Sequence, residues 1–202
     1  IAGSDTKVYL YLETEQLALK CGVLANGQYT SSDRGISGAS TIVLEYVLDT
    51  PSLNLRYGVS LISVEQAKRN LEREINNYDL KVLSEAGRRI WNEKLGKISV
   101  TGGSEQDKTV FYTSLYRTYE RMICISEDGK YYSAFDGKVH NDYGIPFYTD
   151  DWIWDTYRAV HPLRVIIEPK METDMISSFI RMAEQMEQFW MPTFPEITGD
   201  TR

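Results

Sequence analysis

The sequence predicts an α+β fold in which antiparallel strands come first and helices follow, in two segregated modules. Apolar residues recur at every second position up to Leu61 and at helical spacing from Ser63 onward. The length of 202 residues, with 42% hydrophobic and 25% charged residues, is ordinary for a globular protein. We therefore expect a strand-rich part before Ser63 and a helix-rich part after it.

The charge and the apolar patterning exclude several classes of protein. The formal net charge is −7 and no run of Lys or Arg forms a basic patch, so we expect no nucleic-acid partner. No apolar stretch approaches the roughly 20 residues that cross a bilayer, so no membrane span is predicted. The two cysteines, Cys21 and Cys124, are far apart and are expected to be buried free thiols.

The first part of the chain alternates apolar and polar residues as strands do. The clearest alternation runs from Leu53 to Leu61. Three further apolar runs precede it, at Val8 to Leu12, Leu17 to Val23 and Thr41 to Leu48. Asn26-Gly27 predicts a tight turn between two of them. Together these features predict a half-buried antiparallel sheet.

The change of period at Ser63 marks a predicted domain boundary. Ser63 and Gln66 have the spacing of a capping box in front of an amphipathic helix. A second such helix is predicted from about Asp79 to Gly96. Two amphipathic helices in series are typical of a connector that packs against other helices.

The remainder of the chain is predicted to be mainly helical. Ser104 is a cap for a helix through Glu120, and residues 126–144 are predicted to form a long loop with a short hairpin. Two further helices are predicted from about Thr149 to Val165 and from Glu172 to Phe189. The second has a Met-rich stripe that we expect to fill the core.

The densest group of chemically useful side chains lies in one short segment. Its members are Asp151, Trp154, Asp155, Arg158 and His161. On a single helix the two carboxylates and Arg158 share one side, and the indole and the imidazole overlap it. These groups suit the hydroxyls and the apolar face of a pyranose sugar. The same spacing also fits a surface set of ion pairs with the tryptophans in the core.

Other candidate residues are explained more simply by local structure. Three aspartates beside Gly or Asn offer oxygen ligands for Ca²⁺, although ordinary turns explain them: Asp128, Asp136 and Asp142. Three acids, Glu172, Asp174 and Glu196, offer the carboxylate pair of a glycosidase. A position in the first turn of a helix explains Glu172 and Asp174 equally. With His140 and His161 as the only histidines, a three-histidine zinc site is excluded.

Four runs of the sequence together resemble glycoside hydrolase family 92. They are Leu55–Ile75, Phe111–Arg117, Asp136–His140 and Trp154–Leu163, the last reading WDTYRAVHPL. The runs occur in the family's order over nearly the whole chain, which is more specific than any one of them. The resemblance implies calcium-dependent, inverting exo-α-mannosidases as relatives.

The resemblance also implies a division into domains. Residues 1–62 would be the C-terminal part of an N-terminal β-sandwich, residues 63–97 a helical connector, and residues 98–202 the first helices of an (α/α)6 barrel. The chain would then be an internal fragment of a longer enzyme.

The function implied by the resemblance is removal of terminal α-linked mannose, with an α-1,2 preference, by an inverting, Ca²⁺-assisted mechanism. Trp154 and Asp155 match the family's Trp-Asp pair, which contacts the mannose of a glycan substrate. Asp151, Arg158 and His161 are expected to support that pair. The resemblance places the general acid, the general base and the calcium ligands outside this chain, so we assign no catalytic and no metal-binding residue within it and expect the chain alone to be inactive.

Three further expectations complete the sequence-based account. The resemblance implies a periplasmic or secreted enzyme. The isolated chain is expected to self-associate, because a partial barrel leaves the apolar stripe of the Glu172 to Phe189 helix uncovered. The alternative function is a non-catalytic carbohydrate-binding module, which the strands and the 14 tyrosines suggest.

Overall fold

The structure is a computed structural model that describes residues 4–32, 40–47, 52–186 and 190–199. The first five strands are β1 (Tyr9–Thr14), β2 (Lys20–Ala25), β3 (Gln28–Ser31), β4 (Thr41–Glu45) and β5 (Leu55–Ser60). Three helices follow, α1 (Val64–Glu74), α2 (Leu80–Leu95) and α3 (Glu105–Arg117). Four short strands come next, β6 (Ile123–Cys124), β7 (Lys130–Ser133), β8 (Lys138–Asn141) and β9 (Tyr148–Thr149). The last helices described are α4 (Ile153–Thr156), α5 (Val160–Ile167) and α6 (Pro169–Gln185).

The early strands form two antiparallel sheets, as the alternation predicts. β1 pairs with β5, and β2 lies between β3 and β4. Asn26 and Gly27 both have positive φ, at 50° and 75°, and make the predicted tight turn between β2 and β3. The α+β class and the antiparallel pairing are thus confirmed, with β6 to β9 inserted among the helices.

The buried face of β5 is the opposite of the one that its alternation predicts. Gly58 and Ser60 are buried against α1, whereas Tyr57 and Val59 are more than half exposed. A Cβ atom at Gly58 would lie 2.2 Å from the carbonyl oxygen of Ala67, so only glycine lets the helix come this close. The small residues therefore pack on α1, and the apolar side of the β1–β5 sheet has no cover among the described residues.

The predicted helix starts are present in the structure, with one change of detail. Ser63 caps α1 by accepting from the Gln66 amide at 3.1 Å, and Ser104 forms a full capping box with Asp107 in front of α3. The Gln66 side chain does not return to the Ser63 amide, because Ser60 Oγ already accepts from that amide at 3.3 Å. Helix α3 ends at Arg117, three residues before the predicted end at Glu120.

A core lies between α6 and the short strands β6 to β9. Its buried members are Met122, Tyr131, Phe147, Met175, Phe179 and Met182. The rings of Tyr131 and Phe147 are stacked 4.1 Å apart, and three members come from the Met-rich stripe of α6. The core role of these members of the stripe is confirmed, so the stripe is largely covered. One of its residues, Ile176, is half exposed, as is Ile180, so the expectation of an uncovered stripe holds only for a part of it.

Several other expectations have a clear outcome. Cys21 and Cys124 are free, but neither is fully buried as predicted: Cys21 is half-buried, and Cys124 is exposed in the two-residue strand β6, which pairs with β9. The hairpin expected in residues 126–144 is present as β7 and β8. The predicted ends at Leu48 and Phe189 lie outside the described residues. None of the helices described is long and apolar enough to cross a membrane.

Candidate functional site

The helix predicted from Thr149 to Val165 is two short helices, α4 and α5, separated by residues 157–159. Pro162 lies in the first turn of α5, where its missing N–H costs nothing. In one continuous helix the same proline would be in the interior, and its ring would clash with the carbonyl of Arg158. Thr149 belongs to β9, which pairs with β6. The single helix face predicted for the site residues is therefore wrong.

Trp154 and Asp155 lie side by side on α4 and are both exposed. The Trp154 side chain is 65% exposed, and its ring meets the ring of Tyr157 edge-on at a centroid distance of 6.4 Å. The Asp155 carboxylate makes no hydrogen bond or ion pair with any of the residues described. The segment thus presents an open aromatic ring and a free acceptor group to solvent.

Arg158 does not join this pair in the way that the helical spacing suggests. Its guanidinium Nε donates to the Tyr157 hydroxyl at 2.7 Å. Neither Asp151 nor Asp155 forms an ion pair with it in the described part of the chain. The competing explanation of the segment, ion pairs between Arg158 and the two aspartates, is therefore wrong. These pairs need one continuous helix, and the helix is interrupted between α4 and α5.

Asp151 and His161 are instead part of a buried group that includes Glu172. The imidazole Nε2 of His161 lies 2.9 Å from Asp151 Oδ2, and its Nδ1 lies 2.8 Å from Glu172 Oε1. Asp151 and Glu172 are 0% and 4% exposed. Hydrogen bonds to the two carboxylates raise the pKa of His161 to about 9 against the cost of burial. We call these three residues the Asp151–His161–Glu172 triad.

The buried guanidinium of Arg164 lies close to the triad. It donates to the carbonyl of Thr118 and contacts Met175 Sδ at 3.3 Å. Burial lowers the pKa of Arg164, while the charges of Glu172 and Asp151 act in the other direction. The charges in this group balance, because the imidazolium and the guanidinium offset the two carboxylates. A low-dielectric interior requires such a balance.

Two members of the triad line a cavity of about 390 Å³ between α4, α5 and α6. His161 and Glu172 supply its polar groups, and the other side chains are mainly apolar. Tyr157 lines the same cavity and contacts Trp154 on its outer side. Tyr157 therefore connects the exposed Trp154–Asp155 pair to the cavity beside the buried triad.

Sequence reasoning placed Glu172 in the first turn of its helix and missed its contact with His161. Glu172 is indeed in the first turn of α6, yet it also shares the buried face with Met175 and Phe179. An acid at helical spacing on an apolar stripe is the signal that could have revealed a buried partner. Asp174, another candidate carboxylate, is paired with Lys170 at 2.8 Å.

The three aspartates considered as calcium ligands are occupied by other contacts. Asp136 binds His140 at 2.9 Å and the Lys138 amide at 3.1 Å, and Asp142 accepts from the Gly144 amide at 2.8 Å. Asp128 pairs with arginines of α1. No group of three or more His, Cys, Asp or Glu among the residues described is arranged to hold a metal ion. The described side chains therefore do not fit a calcium site.

Several solved protein structures have a fold similar to that of this chain. An inverting mannosidase of family GH92 from Bacteroides thetaiotaomicron is 28% identical, with a TM-score of 0.77 over 93% of this chain. A family GH92 alpha-mannosidase from the same organism is 20% identical, with a TM-score of 0.82 over 96% of this chain, and shows the shared fold alone. This chain covers 26% and 27% of those two chains, so it spans about a quarter of their length.

Sequence comparisons point to the same family. An uncharacterized secreted glycosidase of Arthroderma benhamiae is 34% identical over 70 residues, which are 33% of this chain and 9% of that protein. The profile of the glycosyl hydrolase family 92 catalytic domain matches residues 66–202, more than half of the chain. The protein therefore belongs to glycosyl hydrolase family 92, whose members with solved structures include mannosidases.

Proposed function

We propose that this chain is the sugar-binding part of a longer glycosidase that removes terminal α-linked mannose from glycans. The observation that carries the proposal is the exposed Trp154–Asp155 pair on α4, with its open indole ring and unpaired carboxylate. An indole stacks on the apolar C–H face of a pyranose. A carboxylate accepts hydrogen bonds from two neighbouring hydroxyls at once.

The substrate and the stereochemistry are proposed from the relatives. A neighbour that is 28% identical is named an inverting mannosidase. On this basis we propose an inverting mannosidase, and from the resemblance of the four sequence runs to the family we propose exo action with a preference for α-1,2 linkages. An inverting glycosidase needs a general acid and a general base on opposite sides of the bond that is cleaved.

We place neither of these two groups in this chain. Asp151 and Glu172 are buried carboxylates, and each has one oxygen engaged with a ring nitrogen of His161. The part of the enzyme that carries out proton transfer is therefore proposed to lie elsewhere in the longer protein, and this chain alone is proposed to be inactive.

Calcium belongs to the proposal only for the longer enzyme. No three of the described His, Cys, Asp or Glu side chains are grouped so that they could hold the ion. We derive no step of this chain through calcium and propose that the ligands come from other parts of the enzyme. A periplasmic or secreted location is proposed on the basis of the relative named a secreted glycosidase.

The test is an assay of the full-length protein on α-1,2-, α-1,3- and α-1,6-linked mannobiose, followed by proton NMR. We expect release of mannose, fastest from the α-1,2 linkage, with the β-anomer as the first product. Chelation with EDTA is expected to abolish the activity, and added Ca²⁺ to restore it. No activity on any α-mannoside would contradict the proposal, and α-mannose as the first product would contradict inversion.

The alternative of a non-catalytic carbohydrate-binding module is distinguished by titration calorimetry on the isolated chain with mannose. A module binds sugar without the rest of the enzyme, whereas a partial subsite does not. We therefore expect no binding by the chain alone at millimolar mannose. Millimolar or tighter binding would favour the module.

A further inference from the structure

Helix α4, which carries Trp154 and Asp155, has no stability of its own. It is a single turn of four residues, Ile153–Thr156, and no side chain caps its start. Isolated helices shorter than about 12 residues are marginal in water, so this turn depends on tertiary contacts. The position of the exposed pair is therefore set by whatever holds the two ends of α4.

Asp151 makes contacts on both sides of α4, with its backbone amide ahead of the start and its carboxylate at the end. Its Oδ2 accepts from the Thr156 hydroxyl at 3.2 Å, at the last residue of α4, and contacts His161 Nε2 at 2.9 Å, at the second residue of α5. The Asp151 amide donates to the carbonyl of Pro195 at 3.1 Å. One buried residue thus joins the start of the segment, the end of α4 and the start of α5.

The surroundings of His161 fit a positive charge. A neutral imidazole has one N–H donor, yet both ring nitrogens of His161 lie within 2.9 Å of a carboxylate oxygen. Only the imidazolium can donate to Asp151 and Glu172 together while both acids are ionised. Arg164 on α5 supplies the second buried positive charge, and Tyr157 of the preceding segment lines the cavity beside the ring.

We infer that the Asp151–His161–Glu172 triad is a positioning unit, in which a protonated His161 joins the segment around α4 to α5 and α6 and thereby orients Trp154 and Asp155 toward the sugar. The inference rests on the proposed function, because it assigns the triad to the same sugar subsite. The triad does not touch the substrate. It acts through the backbone of α4, and Arg158 is not part of it.

The pKa of His161, raised to about 9 by its two carboxylate partners, agrees with this role. At neutral pH the imidazole stays charged, so the position of α4 does not change with pH in that range. The unpaired buried oxygens, Asp151 Oδ1 and Glu172 Oε2, have no hydrogen-bond partner among the described residues. Loss of the positive charge would leave two buried carboxylates that repel each other.

The central experiment compares His161→Gln with His140→Gln in the full-length protein. Glutamine retains an N–H donor but has no charge. His140 is a matched control, since it is the chain's other histidine and pairs with Asp136 at 2.9 Å in the β7–β8 hairpin. We expect His161→Gln to raise KM for mannobiose at least tenfold with a smaller change in kcat, and His140→Gln to change both less than twofold.

The division between KM and kcat separates positioning from a general loss of structure. A variant that merely unfolds in part has fewer active molecules, so its apparent kcat falls at unchanged KM. Wild-type KM in a folded His161→Gln protein, or a loss confined to kcat, would overturn the inference. If His161→Gln does not fold, Glu172→Gln replaces it, and we expect its KM to rise between pH 6.5 and 8, where the wild-type KM is constant. A constant KM in Glu172→Gln would overturn the inference.

A second measurement does not depend on activity. In ¹⁵N-histidine NMR spectra of the wild type, the resonance that His161→Gln removes is expected to remain that of an imidazolium at pH 8. Titration of this resonance near pH 6.5 would overturn the inference, even if the protein cleaves mannosides. Absence of activity with an imidazolium at pH 8 would instead count against the proposed function and leave the triad in place.

Discussion

At the residue scale, the sequence predicts candidate side chains, but it does not predict how they contact one another. Trp154, Asp155, Asp151 and His161 were all singled out, and the structure brings Asp151 and His161 together. The sequence offers Glu172 as a glycosidase carboxylate or as an acid in the first turn of its helix, but not as a partner of His161. That partner is 11 residues away, and the contact depends on how α5 and α6 pack. Pair contacts of this kind follow from tertiary packing and are not encoded in local spacing.

His161 leads to a prediction about pH and stability. Its pKa is raised from 6.5 to about 9, so the protonated form stabilises the fold fully below pH 6.5, and this contribution is lost as the pH rises through 9. The difference corresponds to about 3 kcal/mol for a side chain that is 15% exposed. Thermal unfolding between pH 6 and 10 is expected to show a decline in wild-type Tm that is much smaller in His161→Gln. Parallel curves for the two proteins would contradict the assignment.

At the element scale, the starts of α1, α2 and α3 match the prediction, whereas the predicted starts at Thr149 and Glu172 and the continuity of the helix from Thr149 do not. Ser63, Asp79 and Ser104 all cap helices, because a capping side chain and its amide partner are close in sequence. The break between α4 and α5 was missed although Pro162 signals it. Apolar periodicity alone does not report where the backbone of a helix is interrupted.

The turn before β7 joins the strand-rich and helix-rich parts of the chain and gives a second prediction. Glu127 accepts from the Leu61 amide at 3.0 Å and from Asn70 Nδ2 at 2.7 Å. Glu127→Ala leaves buried donors without this partner and is expected to lower the free energy of unfolding by about 1–3 kcal/mol. Urea denaturation measures the change, with Glu120→Ala, an exposed acid just after α3, as the control. Equal stability of the two variants would show that the turn does not stabilise the contact between the strand-rich and helix-rich parts.

At the scale of the whole molecule, the order of strands and helices was predictable, whereas the exposed surface was not. The alternation in β5 gave the correct strand but could not show which face α1 covers. The choice of face depends on Gly58, which allows a close approach that no side chain would permit. The apolar side of the β1–β5 sheet consequently stays open, with cross-strand pairs such as Leu12 and Tyr57 at its centre.

This open sheet face predicts that the isolated chain self-associates. Exposed apolar patches of this kind cause association in water. Light scattering is expected to show dimers or larger species, and the double variant Leu12→Ser/Tyr57→Ser is expected to reduce them. The matched control is Ile180→Ser, which changes an equally exposed apolar residue on α6. A monodisperse monomer of the unaltered chain, or an effect of the control alone, would contradict this assignment of the surface.

The central claim, that Trp154 and Asp155 bind the terminal mannose, is tested most directly by kcat/KM of the full-length protein with Asp155→Ala. Because the Asp155 side chain is exposed and unpaired, its removal costs little stability, while the loss of charged hydrogen bonds to the sugar costs about 2–4 kcal/mol. We predict that kcat/KM on α-1,2-mannobiose falls about 100-fold or more at unchanged Tm, and that Glu93→Ala, an exposed acid on α2, has no effect. A wild-type rate in folded Asp155→Ala would contradict the claim.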